Sequence, residues 1–383
     1  MGSLFQNITD TIKSQFPGKD FIPLHAPVFK GNEKKYVLDT IESTFVSSVG
    51  AYVNKFEEMM CDITGAKYAV AIVNGTNALH MALILADVIA HDEVLTQSLT
   101  FIATANAISY MGASPVFIDV DNDTLGLSPN AVEAFLEDNA LLRSDGFTYN
   151  RHTGKRIKAC IPMHTFGFPC RVDELFTLCE KWNISLIEDA AESLGSYYKE
   201  KHTGTFGLIG TFSFNGNKTI TSGGGGAIVT DDVAIANRAK HLTTQAKQTH
   251  PWAFIHDEIG YNYRMPNLNA ALACAQLEQL DTFVDNKREL ASFYKEYFKS
   301  INITLIEEVE SSKANYWLNA ILLNDKDQRE AFLKFSNNNG VMTRPCWELM
   351  HRLPMFSKAE RGNLSNSEWI ADRLVNIPSS VRL

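Results

Sequence analysis

No two cysteines in this chain are spaced C-x-x-C, and none of the six sits with histidines in a metal-ligand pattern. That excludes the common zinc folds and dithiol motifs. It leaves Cys61, Cys160, Cys170, Cys179, Cys274 and Cys346 as buried thiols of a reducing compartment. Positive charge is not in excess either. The 35 basic and 44 acidic residues give a formal net charge of −9, which argues against non-specific nucleic-acid binding but leaves room for a local basic pocket. No basic segment precedes an apolar run at the start of the chain, as a signal peptide requires. The most apolar run, "MALILADVIA" (81–90), is too short to cross a bilayer. Fixed-period repeats and low-complexity tracts are missing as well. The expectation is a soluble, cytoplasmic protein with no metal, no membrane and no nucleic-acid partner. At 383 residues and 45% apolar composition it can bury a large core, divided between two domains.

Two apparent motifs fail on their spacing. "TFSFNGNKTITSGGGG" (211–226) sets Lys218 beside glycines, but a Walker loop needs its glycines before the lysine and here they follow it. "DVDNDTLGLSPN" (119–130) begins like a calcium loop, yet Thr124 and Asn130 stand where an EF-hand needs Gly and Glu. It reads as the turn after a strand.

From about residue 50 to 230, short apolar runs alternate with helix-like segments. "YAVAIV", "EVLTQSLT", "SPVFIDV", "IKACIPM" and "ISLIED" read as strands, with helices at "ALHMALILADVI" and "VDELFTLCEKW" between them. Such alternation indicates an α/β domain on a mostly parallel sheet, whose ligands sit beyond the carboxyl ends of the strands. Asn74–Asn77, Thr165–Phe168 and Glu188–Asp189 lie at such ends. A second, smaller α+β unit is expected from residue 265, with Pro266 opening a helix. The expected division is therefore a surface arm over 1–22, a large domain over 23–264 and a small one over 265–383.

Taken singly, the residues at the strand ends are weak signals. The 74–77 turn, with Gly75, Thr76 and Asn77, could bind an anion at a helix start or merely cap it. Asp189 could be a loop acid, and Phe101 could be core. Together with Lys218 they supply what pyridoxal phosphate requires. A lysine bonds the cofactor aldehyde, an acid keeps the ring nitrogen protonated, and a turn binds the phosphate.

The segments "NGTNAL", "TFIATANAI", "PVFIDVD", "IEDAAESLGS", "GTFSFNGNKT" and "GYNYRM" occur in the order and approximate spacing of one family. From "FIPLHAPVF" (21–29) almost to its end, the chain resembles the DegT/DnrJ/EryC1/StrS sugar aminotransferases. The resemblance implies the type I aminotransferase fold, a large domain with a mostly parallel mixed sheet flanked by helices plus a smaller C-terminal α+β domain. It implies that Lys218 bonds the cofactor and shuttles the substrate proton, and that Asp189 pairs with the ring nitrogen. Phe101 would stack on the ring, Gly75, Thr76 and Ser213 would hold the phosphate, and Asn77 would belong to the cofactor-binding turn. Asn262 would reach the phosphate from the other subunit of a homodimer. Glu192 and His164 would lie near the ring, and His351 and Ser47 near the sugar. His164 could equally be a satisfied core histidine.

The chain departs from the family at Gly224, where relatives often carry glutamate; the expectation is altered backbone freedom rather than altered chemistry. Some relatives replace the lysine with histidine and dehydrate sugars, whereas this chain keeps Lys218. The implied reaction is transfer of nitrogen from L-glutamate to a nucleotide-linked keto-sugar. "FIPLHAPVF" and "STFVSSVGAYVNKFE" most resemble the branch that aminates C4 of UDP-2-acetamido-2,6-dideoxy-4-keto-hexoses for surface glycans. A GDP- or dTDP-linked 4-keto-6-deoxy sugar, as in perosamine synthases, is the alternative. A dehydratase or a non-catalytic partner subunit would be a different class of function.

Overall fold

The computed structural model describes residues 2–382. Its centre is a seven-stranded sheet of β1 (Tyr68–Ile72), β2 (Glu93–Gln97), β3 (Ser114–Ile118), β4 (Ile157–Ile161), β5 (Ser185–Asp189), β6 (Ile209–Ser213) and β7 (Gly226–Thr230). The order across the sheet is β1-β7-β6-β5-β4-β2-β3. Strands β3, β2, β4, β5 and β6 run parallel, and β7 lies antiparallel between β6 and β1. The mostly parallel mixed sheet expected from the sequence is therefore present.

Both faces of this sheet are covered, and the two-residue period of the strands sorts their side chains between them. Val70, Ile72, Val94, Ala159, Ile161, Ile187, Ile209 and Ile228 pack under the helices Gly75–Leu85, Ile102–Tyr110 and Val233–Thr243. Their neighbours Leu95, Cys160 and Leu186 turn the other way, against the helices Pro129–Asn139 and Val172–Lys181. The helix Gly75–Leu85 is apolar nearly all round because it lies buried between sheet and neighbouring helices.

The calcium-like stretch is a turn whose acids are already occupied. Asp119 accepts from the Asn366 and Ser367 backbone, and Asp121 and Asp123 grip the Arg171 guanidinium at 2.6 and 2.5 Å. The arginine stands where a cation would. Among the described residues no helix is long and apolar enough to cross a membrane.

Two domain expectations need correction. The first residues are not a surface arm: Gly2–Ser14 is a helix that buries Phe5, Ile8 and Ile12 against Tyr294, Phe298 and Phe332 of the small unit. Nor does the small unit begin at residue 265. The helix Asn267–Leu277 packs with Phe56, Met60, Phe212 and Phe214 of the large unit. The long helix Leu280–Ser300 then leaves that core, and its later residues Leu290, Tyr294 and Phe298 join the small one. We place the division within that helix. The small unit's sheet has four short antiparallel strands, in the order Thr304–Leu305, Asn319–Leu322, Leu374–Ile377, Arg344–Pro345.

Candidate active site

A cavity of about 320 Å³ opens beyond the carboxyl ends of β1, β5 and β6, where the large and small units meet. Gly75, Thr76, Phe101, Asp189, Glu192, Ser213 and Lys218 all line it. Seven of the candidate residues are thus brought together, from segments spread over most of the large unit.

The turn after β1 is built by two local devices. Asn74 is the N-cap of the helix Gly75–Leu85 and its side chain accepts from the Asn77 backbone N–H at 2.8 Å. The Asn77 backbone N–H is therefore spent on the cap, and the residue does not line the cavity. Gly75 and Thr76 begin the helix, where amide groups have no intrahelical acceptor and the dipole favours an anion. Close approach does the rest. A Cβ on Gly75 would lie 2.7 Å from Ser213 Cβ, so only glycine lets the helix start seat beside the end of β6.

Strand alternation decides which acid faces the cavity. Asp189 ends β5 and is buried, with Oδ2 accepting from Thr104 Oγ1 at 2.7 Å and Oδ1 from the Ala191 N–H at 3.2 Å. Burial raises its pKa, with Thr104, Ala191 and the Lys218 charge opposing. The preceding residue, Glu188, points to the opposite face and there binds His164 Nε2 at 3.0 Å.

His164 follows Glu188 away from the site. It is fully buried, its Nδ1 accepts from the Cys170 N–H, and it does not line the cavity. Burial opposes charge on it, but the Cys170 thiol and the Glu188 carboxylate outweigh that and raise its pKa. The core-histidine reading holds for it.

Lys218 sits in the turn beyond β6. Its Nζ donates to Glu192 Oε1 at 3.0 Å and lies 4.2 Å from the centre of the Trp317 ring. Glu192 also accepts from the Phe166 N–H at 2.9 Å. Burial pushes the Glu192 carboxyl up to about 7, against the pull of Lys218. Phe101 is 47% exposed, along the cavity wall, and meets Trp347 edge-on with 6.1 Å between ring centres.

Three further candidates lie outside the cavity lining. His351 has both ring nitrogens engaged, Nδ1 with Ser98 Oγ at 2.7 Å and Nε2 with Glu368 Oε1 at 3.2 Å. Ser47 is exposed in the loop before the helix Ala51–Thr64, where its carbonyl accepts from the Asn267 N–H. Asn262 is exposed and bridges to Thr244. Gly224 lines the cavity but its φ is not left-handed, and an added Cβ there would meet nothing within 4 Å. A side chain would therefore fit at this position. Among the described residues, His241, Asp257 and Glu258 have metal-ligand proximity; they are not cavity residues, and Arg238 grips both Glu258 oxygens at 3.0 Å.

The sequence reading missed Trp317, Trp347, Met163, Asn215 and Asn217, which also line the cavity, and Thr104, which braces Asp189. The tryptophans come from the small unit, and nothing in their local pattern points to a site in the large one.

The lining suits pyridoxal phosphate. It offers a helix start and Ser213 for a phosphate, an open aromatic face, and an amine within one cavity. It also offers a buried carboxyl whose ionised form favours a positive partner such as a protonated ring nitrogen.

Comparison with known proteins bears on the same point. The model of the DegT/DnrJ/EryC1/StrS aminotransferase family matches residues 27–383. The chain is 38% identical over 359 residues to the GDP-perosamine synthase of Escherichia coli O157:H7, covering 94% of this chain and 93% of that protein. It is 35% identical over 361 residues to the GDP-perosamine synthase of Vibrio cholerae, with 94% of each covered. Among solved structures, the aminotransferase TlmJ from Streptoalloteichus hindustanus superposes with a TM-score of 0.85 at 25% identity, covering 94% of this chain and 93% of that one. With the family model matched over nearly its whole length, the chain belongs to the DegT/DnrJ/EryC1/StrS aminotransferase family and is a pyridoxal-phosphate-dependent transaminase.

Proposed function

We propose that this transaminase moves an amino group from L-glutamate to C4 of a nucleotide-linked 4-keto-6-deoxy sugar. The observation that carries the reading is the gathering of Lys218, Asp189, Phe101 and the 75–76 helix start around one cavity. Bound pyridoxal phosphate supplies an electron sink and carries the nitrogen between the two substrates. Lys218 bonds the cofactor and moves the proton at the reacting carbon, with Glu192 holding its amine. Asp189, steadied by Thr104, keeps the ring nitrogen protonated. Gly75, Thr76 and Ser213 hold the phosphate, and Phe101 covers one ring face.

The names of the Escherichia and Vibrio relatives support a GDP-linked sugar over the UDP-linked 2-acetamido sugar expected from the N-terminal segments. We take the GDP-linked 4-keto-6-deoxy sugar as the first reading. The UDP-linked reading retains the resemblance of "FIPLHAPVF" and "STFVSSVGAYVNKFE". Purified enzyme given equal concentrations of GDP-, dTDP- and UDP-linked 4-keto sugars with glutamate, followed by mass spectrometry, decides between them. The highest specificity constant for the GDP sugar is expected. A higher one for the UDP acetamido sugar reverses the choice, and no amino sugar at all sinks the transaminase reading of the sugar.

A homodimer is part of this proposal. Trp252, Phe254 and Ile259, all at least 81% exposed, stand near Asn262 in sequence, and Phe45, Val46 and Val49 flank Ser47. Clusters of exposed large apolar residues are what a partner surface covers. We infer that a second copy does so and that Asn262 reaches its neighbour's site. With nucleotide-linked sugars and glutamate as substrates, we place the enzyme in the cytoplasm.

A further inference from the structure

We propose that Asn315 and Trp317, on the small unit, are positioning residues that hold Lys218 from both sides. The inference rests on Lys218 being the cofactor lysine, as proposed above. Asn215, Gly216 and Asn217, which lead into Lys218, are exposed, so the turn has little packing of its own. A salt bridge to Glu192 fixes only the tip of the side chain.

The turn is tied on either side of the lysine by one tripeptide, at a backbone carbonyl before it and at a side-chain hydroxyl after it. Trp317 Nε1–H donates to the Asn217 carbonyl at 2.6 Å, just before the lysine. Asn315 Nδ2 donates to Thr219 Oγ1 at 3.2 Å, just after it. The same Asn315 amide donates to the Glu192 carbonyl at 2.9 Å and the Leu194 carbonyl at 2.8 Å, so its two hydrogens are shared among three acceptors, of which Thr219 is the longest. The lysine turn and the backbone of Glu192, whose carboxylate pairs with the lysine, are therefore tied to a single side chain.

The tripeptide is itself held in a costly shape. Tyr316, between the two anchors, has φ 49°, in the left-handed region that an aromatic residue rarely adopts. Gly167 faces it at φ 94°, and a Cβ there would overlap Asn315 Oδ1. The Trp317 N–H returns to Asn315 Oδ1 at 2.8 Å, and the Trp317 carbonyl accepts from the buried Lys287 Nζ at 3.2 Å. Backbone strain that persists because its surroundings over-determine it is characteristic of functional sites. Here its product is a rigid frame for the lysine amine, delivered from the other unit.

The test uses the holoenzyme and two mild substitutions. Trp317→Phe keeps an aromatic face under Nζ and removes only the donor to Asn217. Thr219→Val keeps the shape and removes the acceptor for Asn315. Single-turnover rate with L-glutamate, KM for glutamate, the pH midpoint of the visible band of the lysine-bound cofactor, and melting temperature are measured for each. Trp317→Phe should slow the single turnover about 10-fold, the effect of one well-placed hydrogen bond, and move the midpoint of the band with KM little changed. Thr219→Val should act in the same direction and less. Should Trp317→Phe fail to fold, Thr219→Val carries the test. Wild-type rate and midpoint in the folded variants, with only the melting temperature lowered, overturn the proposal and leave the tripeptide a structural element. Borohydride reduction and peptide mapping separate the two levels: cofactor found on a residue other than Lys218 overturns the underlying reading as well.

Discussion

Replacing Gly75 with alanine measures how closely the helix start is seated on β6. The new Cβ would stand 2.7 Å from Ser213 Cβ and 3.1 Å from its Oγ. Carbon atoms rest at about 3.5–4.0 Å, so the two elements must part by roughly 1 Å. Overpacking of this kind costs about 1–3 kcal/mol, of which alanine returns roughly 0.5–1 kcal/mol through its better helix propensity. A chain of this size should lose on the order of 1–3 °C in melting temperature. The function should suffer more than the fold, because the displaced amides are those offered to the phosphate. Hydrogen bonds to a charged group contribute about 1.5–3 kcal/mol each, so the cofactor dissociation constant should rise roughly 10- to 100-fold. Equilibrium dialysis of pyridoxal phosphate and calorimetric melting provide the two readouts. The pair Gly75→Ala with Ser213→Gly closes a double-mutant cycle: removing the opposing Cβ should restore the melting temperature while affinity stays low for want of the hydroxyl. A single Gly75→Ala enzyme with wild-type melting and wild-type affinity, or a strictly additive cycle, would refute the reasoning.

Three further outcomes are expected. Asp189→Asn keeps an acceptor for Thr104 but loses the charge facing the ring nitrogen, so single-turnover proton transfer should slow about 100-fold or more with cofactor still bound; a near-native rate assigns that task elsewhere. Mixing inactive Lys218→Ala with inactive Asn262→Ala should restore activity through hybrid dimers, and no recovery after verified subunit exchange would mean that each chain completes its own site. Lys287, buried and donating to the Trp317 and Ser379 carbonyls, has its pKa lowered by burial to about 7. The unfolded chain therefore binds the extra proton between about pH 7 and its ordinary value near 10, so this lysine makes stability rise with pH across that window. Denaturation of Lys287→Met at both ends of the window should show that increment gone, and an unchanged slope would show that the amine is not neutral in the fold.

Much of the large unit was legible because its signals are local. Apolar runs of strand length ended at Asn74 and Asp189, and the same alternation that buries Ile187 aims Asp189 into the cavity. That rule also aims Glu188 away, and His164, bonded to it, lies on the same side. The helix over Gly2–Ser14 was legible too, since Phe5, Ile8 and Ile12 recur at helical spacing; it went unread because polar residues fill the intervals. Trp317 and Trp347 are another matter. Their place at the cavity is set by how the small unit folds back on the large one, and no window of sequence around either residue encodes that. The partners of His351, Ser98 and Glu368, are likewise distant from it in the chain or in another element.

The docking of the Gly2–Ser14 helix bears on how the molecule is made. This helix is synthesised long before residues it covers, Phe332 and Leu333 among them. At about 5–20 residues per second, its apolar face waits on the order of 15–60 s for its partner while the large unit can already condense. The small unit is thus a long-range assembly, closed only when segments far apart in the chain meet, and it should form late in refolding as in synthesis. A nascent chain stalled before residue 326 should expose Phe5, Ile8 and Ile12 to chaperones and proteases, and release should bury them.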